Sequence, residues 1–289
     1  MDSKDGIDSQ ARIFNEHFKD PHDDVVLRSK ENIHFRVHSI ILRNTSSFFR
    51  TMFSLPQTGS SSSEAEHCLH LDEEDWVIEA ALRMCCGMPI QIEHLRSFDT
   101  IEPLLHFCDK YGMNGPISIM QAAISSPELI SDPIRLYKLA CQFSWEAEMQ
   151  LSARLALRFD FTHPDIISQL SGIDFADFAR LLGLVRRRKD IFESRLNNPD
   201  DFNGSNPHYA CRICGTIVND PTWRILRMVL IRELEKCPLG DTIRGEEFLL
   251  WPETVACMSA THCSRALYHS ESTRKHILEL LDALPTELE

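Results

Sequence analysis

The chain has 289 residues, a length that suits two domains better than one. Its 43% hydrophobic and 25% charged residues are ordinary for a globular protein, so each half is expected to bury its own core. The formal net charge of −13 disfavours binding of nucleic acid through a broad basic surface. A basic run, Arg186–Lys189, is interpreted as a solvated helix end, with a nuclear-localisation signal as the alternative.

The cysteines indicate a reducing compartment. The ten thiols follow no disulfide spacing, and several lie in apolar stretches, as Cys85, Cys108 and Cys141 do. No apolar run approaches the roughly 18 residues of a membrane span, and the polar start Met1–Asp5 does not resemble a secretion signal. We therefore expect a cytoplasmic and/or nuclear protein with no membrane association and mostly buried, reduced thiols.

Periodicity predicts a mixture of strands and helices in the N-terminal part. Asp23–Val37 alternates with a period of two across a polar break, which indicates a β-hairpin. Short helices follow, then a serine-rich loop at Pro56–Glu66 and a strand at Cys68–Leu71. Two further helices are expected at Val77–Cys85 and Ile101–Tyr111, each ending near a glycine.

Beyond this point the patterns predict helices alone. Asp132 and Pro133 suit an N-cap and a first helical residue, and apolar stripes with helical spacing recur as far as Leu284. The stretch 197–207, rich in Asn, Asp, Pro and Gly, is the candidate inner boundary. The predicted fold class is α+β, a small sheet covered by helices followed by an all-α region. The predicted divisions are an N-terminal extension (1–20), a mixed domain (21–125), a helical region (126–196) and a cysteine-containing helical region (197–289).

Three strings in the first segment occur in the order and at the separations of a known signature. They are Asp24-Val25-Val26-Leu27, Phe35-Arg36-Val37-His38 and Ser46-Ser47-Phe48-Phe49-Arg50-Thr51-Met52-Phe53. The segment thereby resembles the BTB/POZ domain, in which a D-V-x-L strand pairs with an F-x-x-H strand and a helical S-x-x-F-x-x-M-F follows. The resemblance implies a docking domain that homodimerises through helices at its N-terminal end. The expected partners are a second copy and an unidentified protein.

Cues elsewhere resemble one branch of that family, the expanded BTB proteins of mushroom-forming fungi. Phe53–Gln57 directly after the signature is one cue, and Asp132–Ala140 with Trp145 soon after it is another. A late Cys-x-x-Cys with a tryptophan-bearing helix behind it is a third. The resemblance implies a fungal protein.

Two positions of the BTB family transfer to this chain, Asp24 in the first strand and His38 at the end of the second. In transcriptional BTB domains the next residue is often Arg or Lys, which forms a charged pocket with the aspartate at the dimer interface, whereas here it is Ser39. A buried aspartate without a cation is costly, so we expect Asp24 to be solvated or to have another donor.

The predicted dimer or binding surface combines two apolar groups. One lies just before the hairpin and consists of Ile13, Phe14 and Phe18. The other lies on the predicted helices of Ile40–Phe53 and includes the apolar set of the S-x-x-F helix: Phe48, Phe49, Met52 and Phe53. Phe49 and Phe53 lie one helical turn apart and are expected to be buried together.

Cys211 and Cys214, in the string C-R-I-C, carry the clearest chemistry, because two thiolates separated by two residues can chelate one tetrahedral Zn²⁺. A second pair is expected from Cys257 and Cys263. Neutral imidazole is also a zinc ligand, so two histidines are possible substitutes: His208 and His262. Ordinary thiols and a redox pair are the alternatives, the latter disfavoured by the lack of a thioredoxin-like βαβ pattern. The predicted cofactor is none or one structural zinc.

No enzyme motif is found: the sequence has no G-x-G-x-x-G, P-loop, H-E-x-x-H or G-x-S-x-G. The acidic run Asp72–Asp75 suits the first turn of a helix better than a metal site. We interpret the chain as a non-catalytic adaptor or scaffold. One alternative is a transcriptional regulator with a small C-terminal zinc module, although the acidic balance makes nucleic acid an unexpected partner. The other is a substrate adaptor of a cullin-type ubiquitin ligase, in which Leu55-Pro56-Gln57 stands where a hydrophobic-x-Glu motif is usual.

Overall fold

The computed structural model describes residues 12–55, 68–202, 205–206, 208–218 and 220–289. The predicted serine-rich loop Pro56–Glu66 lies outside these residues, as do residues 1–11 of the predicted extension. The chain divides into two compact units, Met1–Ser131 and Asp132–Glu289. The inner boundary predicted at 197 falls inside the second unit. In the described ranges, no helix combines the length and apolarity needed to cross a bilayer.

A four-stranded sheet lies in the first unit. Its strands are β1 (Ile13–Phe14), β2 (Val25–Arg28), β3 (Ile33–Val37) and β4 (Cys68–His70), in the spatial order β1-β3-β2-β4. Strands β2 and β3 form the predicted antiparallel hairpin, while each outer strand is parallel to its neighbour. Strand β1 is not predicted from the sequence, because two residues are too few for alternation to stand out.

Strand β2 is buried on both of its faces. Val25, Val26 and Leu27 are all buried, although alternation predicts that only one face is covered. In β3, Phe35 and Val37 are also buried, so the hairpin lies in the core of the unit. Burial of both faces fixes the register of the hairpin and thereby the positions of the residues that flank it.

Helices complete the first unit. They are α1 (Ser39–Thr45), α2 (Ser47–Ser54), α3 (Asp75–Cys86), α4 (Phe98–Lys110), α5 (Asn114–Ala123) and α6 (Pro127–Ile130). Gly112, just after α4, has a φ of +61°, and a Cβ there would overlap the Ser47 hydroxyl. The Ser47 N–H donates to the Gly112 carbonyl oxygen at 3.1 Å. Glycine therefore lets the start of α2 approach this turn closely.

The second unit is helical apart from short extended pieces. Its helices are α7 (Pro133–Gln142), α8 (Glu146–Ala156), α9 (Pro164–Gln169), α10 (Phe175–Asn197), α11 (Pro221–Lys236), α12 (Asp241–Arg244), α13 (Pro252–Met258) and α14 (Ser270–Asp282). The predicted cap is confirmed, since the Asp132 carboxylate accepts a hydrogen bond from the Arg135 N–H. The all-α description needs one addition, an antiparallel ribbon of β5 (Thr261–His262) and β6 (Arg265–Ala266).

The core of this unit surrounds the tryptophan of α11. Trp223 is fully buried together with Phe192 of α10 and Ile277 of α14. Its indole N–H donates to the Ser205 hydroxyl at 2.8 Å, which satisfies the polar atom of this buried ring. Trp223 is therefore a packing residue of this core. The core anchors α11, which the Cys-x-x-Cys precedes in the chain, and α13, which the segment with Cys263 follows.

Candidate functional site

The Cys-x-x-Cys forms a tight turn between two short extended segments. Ala210 and Ile217 face each other in an antiparallel bridge. The Cys211 N–H donates to the Thr216 carbonyl oxygen, and the Gly215 N–H donates to the Cys211 carbonyl oxygen, both at 2.8 Å. Gly215 has a φ of +71°, which this turn requires and glycine adopts without strain. The turn points both cysteines toward the same side.

The second half of the site is the β5–β6 ribbon. Its two-residue loop consists of Cys263 and Ser264, with φ values of +50° and +61°. Such a loop requires left-handed backbone at both positions, where Asn and Gly are the usual residues. Each non-glycine residue in this conformation costs on the order of 1 kcal/mol, and such strain concentrates at functional sites. The strained loop presents Cys263 directly beside His262.

The two turns bring four metal-ligating side chains together. Cys211, Cys214, His262 and Cys263 have ligand atoms that all lie within 4.8 Å of one another. The Sγ atoms of Cys211 and Cys263 are 3.9 Å apart, and Cys214 Sγ lies 3.2 Å from His262 Nε2. Tetrahedral zinc with sulfur ligands at about 2.3 Å separates neighbouring sulfurs by about 3.8 Å. The geometry and the donor set of this Cys/His cluster are therefore compatible with a zinc site.

Hydrogen bonds around the cluster resemble the outer contacts of a metal site. The Thr216 hydroxyl lies 3.0 Å from Cys214 Sγ and 3.5 Å from His262 Nε2, and the Ile213 N–H donates to Cys211 Sγ at 3.4 Å. Contacts of this kind orient ligands and stabilise thiolates. Thr216 is not predicted from the sequence; Gly215, directly after the second cysteine, is the signal that marks this turn.

The thiols of Cys214 and Cys263 influence each other's ionisation. Hydrogen bonds from the hydroxyl and backbone of Thr216, followed by that from His262, lower the pKa of Cys214 to about 6. The hydrogen bond with Cys214 is the chief reason that the pKa of Cys263 rises to about 11. One thiolate therefore suppresses ionisation of its neighbour, as expected for coupled groups. A divalent cation would cancel this repulsion and favour the deprotonated form of each thiol.

The ligand pair predicted from Cys257 and Cys263 is wrong in one member. Cys257 lies on the buried face of α13 and packs in the core with Trp223, away from the Cys/His cluster. Burial raises the pKa of its thiol to about 11, which disfavours a thiolate. His262, a predicted substitute, is in the cluster, whereas His208 is exposed and is not among the four residues of the described chain that form it.

In the first unit, Asp24 meets both expectations stated for it. Its side chain is about half exposed, and its two carboxylate oxygens accept hydrogen bonds from the N–H and the hydroxyl of Ser39, each at 2.6 Å. Partial burial opposes ionisation, but the bonds from Ser39 outweigh it and keep the pKa of Asp24 below its ordinary value. His38 caps α1 and lies 3.6 Å from the same carboxylate. Ser39 therefore supplies hydrogen bonds to Asp24 at the position where transcriptional BTB domains often have an arginine or a lysine.

The apolar residues predicted for the binding surface divide between core and surface. Phe49 is fully buried and stacks on Tyr111 and Phe53, with ring centroids 5.6 and 6.1 Å apart. Phe53 and Met52 are only half-buried, so Phe49 and Phe53 are in contact but not equally buried. Phe48 is 46% exposed and lies, with Met52, along an open surface depression. Phe18, assigned to the dimer surface, is buried against Phe35 and cannot contribute to it.

The basic run Arg186–Lys189 does not form a free patch. Arg188 is buried, and its guanidinium donates to four backbone carbonyl oxygens, those of Pro238, Leu239, Leu284 and Pro285. Burial lowers the pKa of Arg188 to about 10. The interpretation as a solvated helix end is therefore wrong: the run lies inside α10, and Arg188 ties the middle of this helix to two other segments.

Comparison with known proteins identifies the first unit. Residues 14–127 match the family model of the BTB/POZ domain. No curated protein matches the chain. The matched range begins in β1 and reaches α6, so it contains the sheet, the Asp24–Ser39 contact and the phenylalanines of α2, while the Cys/His cluster lies outside it. Residues 14–127 therefore form a BTB/POZ domain, which precedes a helical region that carries a Cys/His cluster.

Proposed function

We propose that this protein is a non-catalytic adaptor that homodimerises through its BTB domain and presents a zinc-stabilised C-terminal unit to a protein partner. BTB domains are typically non-enzymatic interaction modules, which supports the adaptor role. The sequence also lacks the catalytic motifs that an enzyme of the common classes would need.

The observation that carries homodimerisation is the exposure of large aliphatic side chains on an outer strand and on a short helix of the BTB domain. Ile13 of β1 is 65% exposed and Ile40 of α1 is 55% exposed. Ile40 directly follows Ser39 in the chain, and β1 is an outer strand of the sheet. Exposed aliphatic residues on a terminal strand and a short helix suit burial against a second copy, in which each patch meets its equivalent.

Light scattering on the full-length protein tests this dimer. At high salt and low concentration we expect about twice the chain mass of 33.2 kDa. Ile40→Glu should give the mass of a single chain, because a carboxylate buried in an apolar interface has no partner. Ile92→Glu is the matched control, since Ile92 is 58% exposed in the same unit but outside α1 and β1. A wild-type protein that remains a single chain at tens of micromolar, on the order of usual working concentrations, would contradict the proposal.

The proposed zinc is structural. Cys211, Cys214, His262 and Cys263 supply four protein ligands, which leaves no open position for a substrate. The metal would join the Cys-x-x-Cys turn to the β5–β6 ribbon and hold both against the helices that follow them. Its chemistry there is to neutralise the thiolates and fix the two turns.

The alternative functions receive less support. The exposed face of α11 carries Ile225 and Met228 between its arginines, and exposed aliphatic side chains do not suit a helix that contacts phosphates. This favours a protein partner over DNA. For a cullin-linked adaptor, Leu55 is exposed, but Pro56 and Gln57 lie outside the described residues. The resemblance to the expanded fungal family rests on the sequence cues and stays a prediction.

A further inference from the structure

The Cys/His cluster is surrounded by a surface that a purely structural metal does not need. Ile213 lies between two ligands and is 56% exposed, and Ile217 follows Thr216 and is 60% exposed. Arg212 and Arg265 are exposed beside them, Arg265 being paired across the ribbon with His262. We call these four residues the rim: Arg212, Ile213, Ile217 and Arg265. The rim combines aliphatic side chains with positive charge at the tips of the two turns.

The two rim arginines differ from several other arginines of the second unit. Arg158, Arg180 and Arg244 each have a carboxylate within 4.0 Å, at 3.3, 2.7 and 2.7 Å. Neither Arg212 nor Arg265 has an ion-pair partner in the part of the chain that the structure describes. Zinc with three thiolates keeps one net negative charge, which the two arginines outweigh. The rim is thus a small positive site on a chain whose net charge is −13.

A segment of complementary chemistry lies elsewhere in the same unit. Residues Glu246–Leu250 form a single 3-10 turn. Glu246 and Glu247 are exposed and make no ion pair with a described residue. Leu250, which ends the turn, is 77% exposed. Leu249 is also partly exposed. We call Glu246–Leu250 the acidic turn. It offers two carboxylates for the arginines and two leucines for the isoleucines.

We propose that the rim of one copy binds the acidic turn of another copy. The inference rests on the proposed zinc, because the metal fixes the two turns that carry the rim. The contact joins two different surfaces, so it does not close into a pair and instead extends from copy to copy. It is small and solvent-accessible, so it should be weak, salt-sensitive and reinforced when BTB dimers present two such contacts at once.

Sedimentation velocity of the full-length, zinc-loaded protein tests this contact. At low salt, about 50 mM, the mean mass should rise continuously between about 1 and 100 µM, and at about 500 mM the rise should disappear. The BTB dimer is apolar and should persist at both salt concentrations. A mass that stays constant over this range at low salt would overturn the proposal, whichever constant mass is found.

Charge reversal identifies the residues. The double variant Arg212→Glu, Arg265→Glu should shift the association to at least about tenfold higher concentration, because carboxylates then face carboxylates. Arg186→Glu, at an exposed arginine of α10, is the matched control and should associate like the wild type. The double variant Glu246→Arg, Glu247→Arg should likewise fail to associate with itself. A mixture of this variant and the rim variant should associate again.

The outcomes separate this inference from the proposed function. Zinc content measured on each variant should be unchanged, so a loss of association cannot be ascribed to a lost metal site. Failure of the mixture to associate would overturn the pairing of rim and acidic turn. Association that follows added DNA instead of protein concentration would also overturn it, because the arginines would then contact phosphates. A single-chain mass at low concentration would contradict the BTB dimer alone.

Discussion

In the BTB domain, Asp24 and His38 flank strands whose residues Val26, Leu27 and Phe35 are buried, and hydrogen bonds of the sheet fix their positions. In the C-terminal unit, the cysteines lie on turns where residues 212–217 and 263–266 are all exposed. Burial of apolar surface can hold the first arrangement but not the second. The first site is therefore a product of its core, whereas we propose that the second is held by zinc.

The largest effect should come from the aromatic core of the BTB domain. Phe49→Ala removes a fully buried ring that stacks on Tyr111 and should lower the free energy of unfolding of this unit by about 3–5 kcal/mol. Phe48→Ala, at the neighbouring and partly exposed ring, should cost less. Hydrogen exchange of β2 and β3 peptides in increasing urea reads this unit separately. Equal effects of the two variants would show that α2 buries a different face.

The helical core of the second unit should respond to loss of its buried cation. Arg188→Met leaves four backbone carbonyl oxygens without their donor and should destabilise this unit by about 2–4 kcal/mol. Arg186→Met, at an exposed arginine two residues away, should change stability by no more than about 0.5 kcal/mol. Hydrogen exchange of α10 and α14 peptides measures both. A neutral Arg188→Met would mean that burial of this charge costs as much as its bonds return.

The smallest effect belongs to the Asp24–Ser39 contact. Because the pKa of Asp24 lies below its ordinary value of 3.8, the contact stabilises the fold above about pH 4 and is lost as the pH falls through the lowered pKa. Ser39→Ala removes one of the two bonds and should raise the pKa of Asp24. The cost at pH 7 should stay below about 1 kcal/mol, because the carboxylate is about half exposed.

An NMR titration of the Asp24 carboxyl measures this shift. Ser54→Ala is the control, since the Ser54 hydroxyl donates to the Thr51 carbonyl oxygen and should leave Asp24 unaffected. If Ser39→Ala titrates like the wild type, the serine does not replace the missing cation.

The same contrast explains what the sequence could predict. The hairpin and helices α3, α4 and α7 follow from periodicity, glycine stops and the Asp132 cap, because those signals are local. Burial of Arg188 leaves no local signal, since it depends on carbonyl oxygens from segments about 50 to 97 positions away. The spacing of the cysteines indicated Cys211, Cys214 and Cys263, with His262 as a possible substitute. The choice of His262 over Cys257 required knowing that α13 buries Cys257 and that the following ribbon presents His262 with Cys263.

The dependence of the C-terminal site on metal is tested most directly by zinc analysis of the full-length protein purified without chelator. We predict about one zinc per chain, with an X-ray absorption spectrum of three sulfur ligands and one nitrogen ligand. Cys263→Ser should lose most of the metal, whereas Cys68→Ser, at an exposed cysteine of the BTB domain, should keep it. A wild-type protein with no bound zinc, or a Cys263→Ser variant that retains it, would contradict the metal-held site.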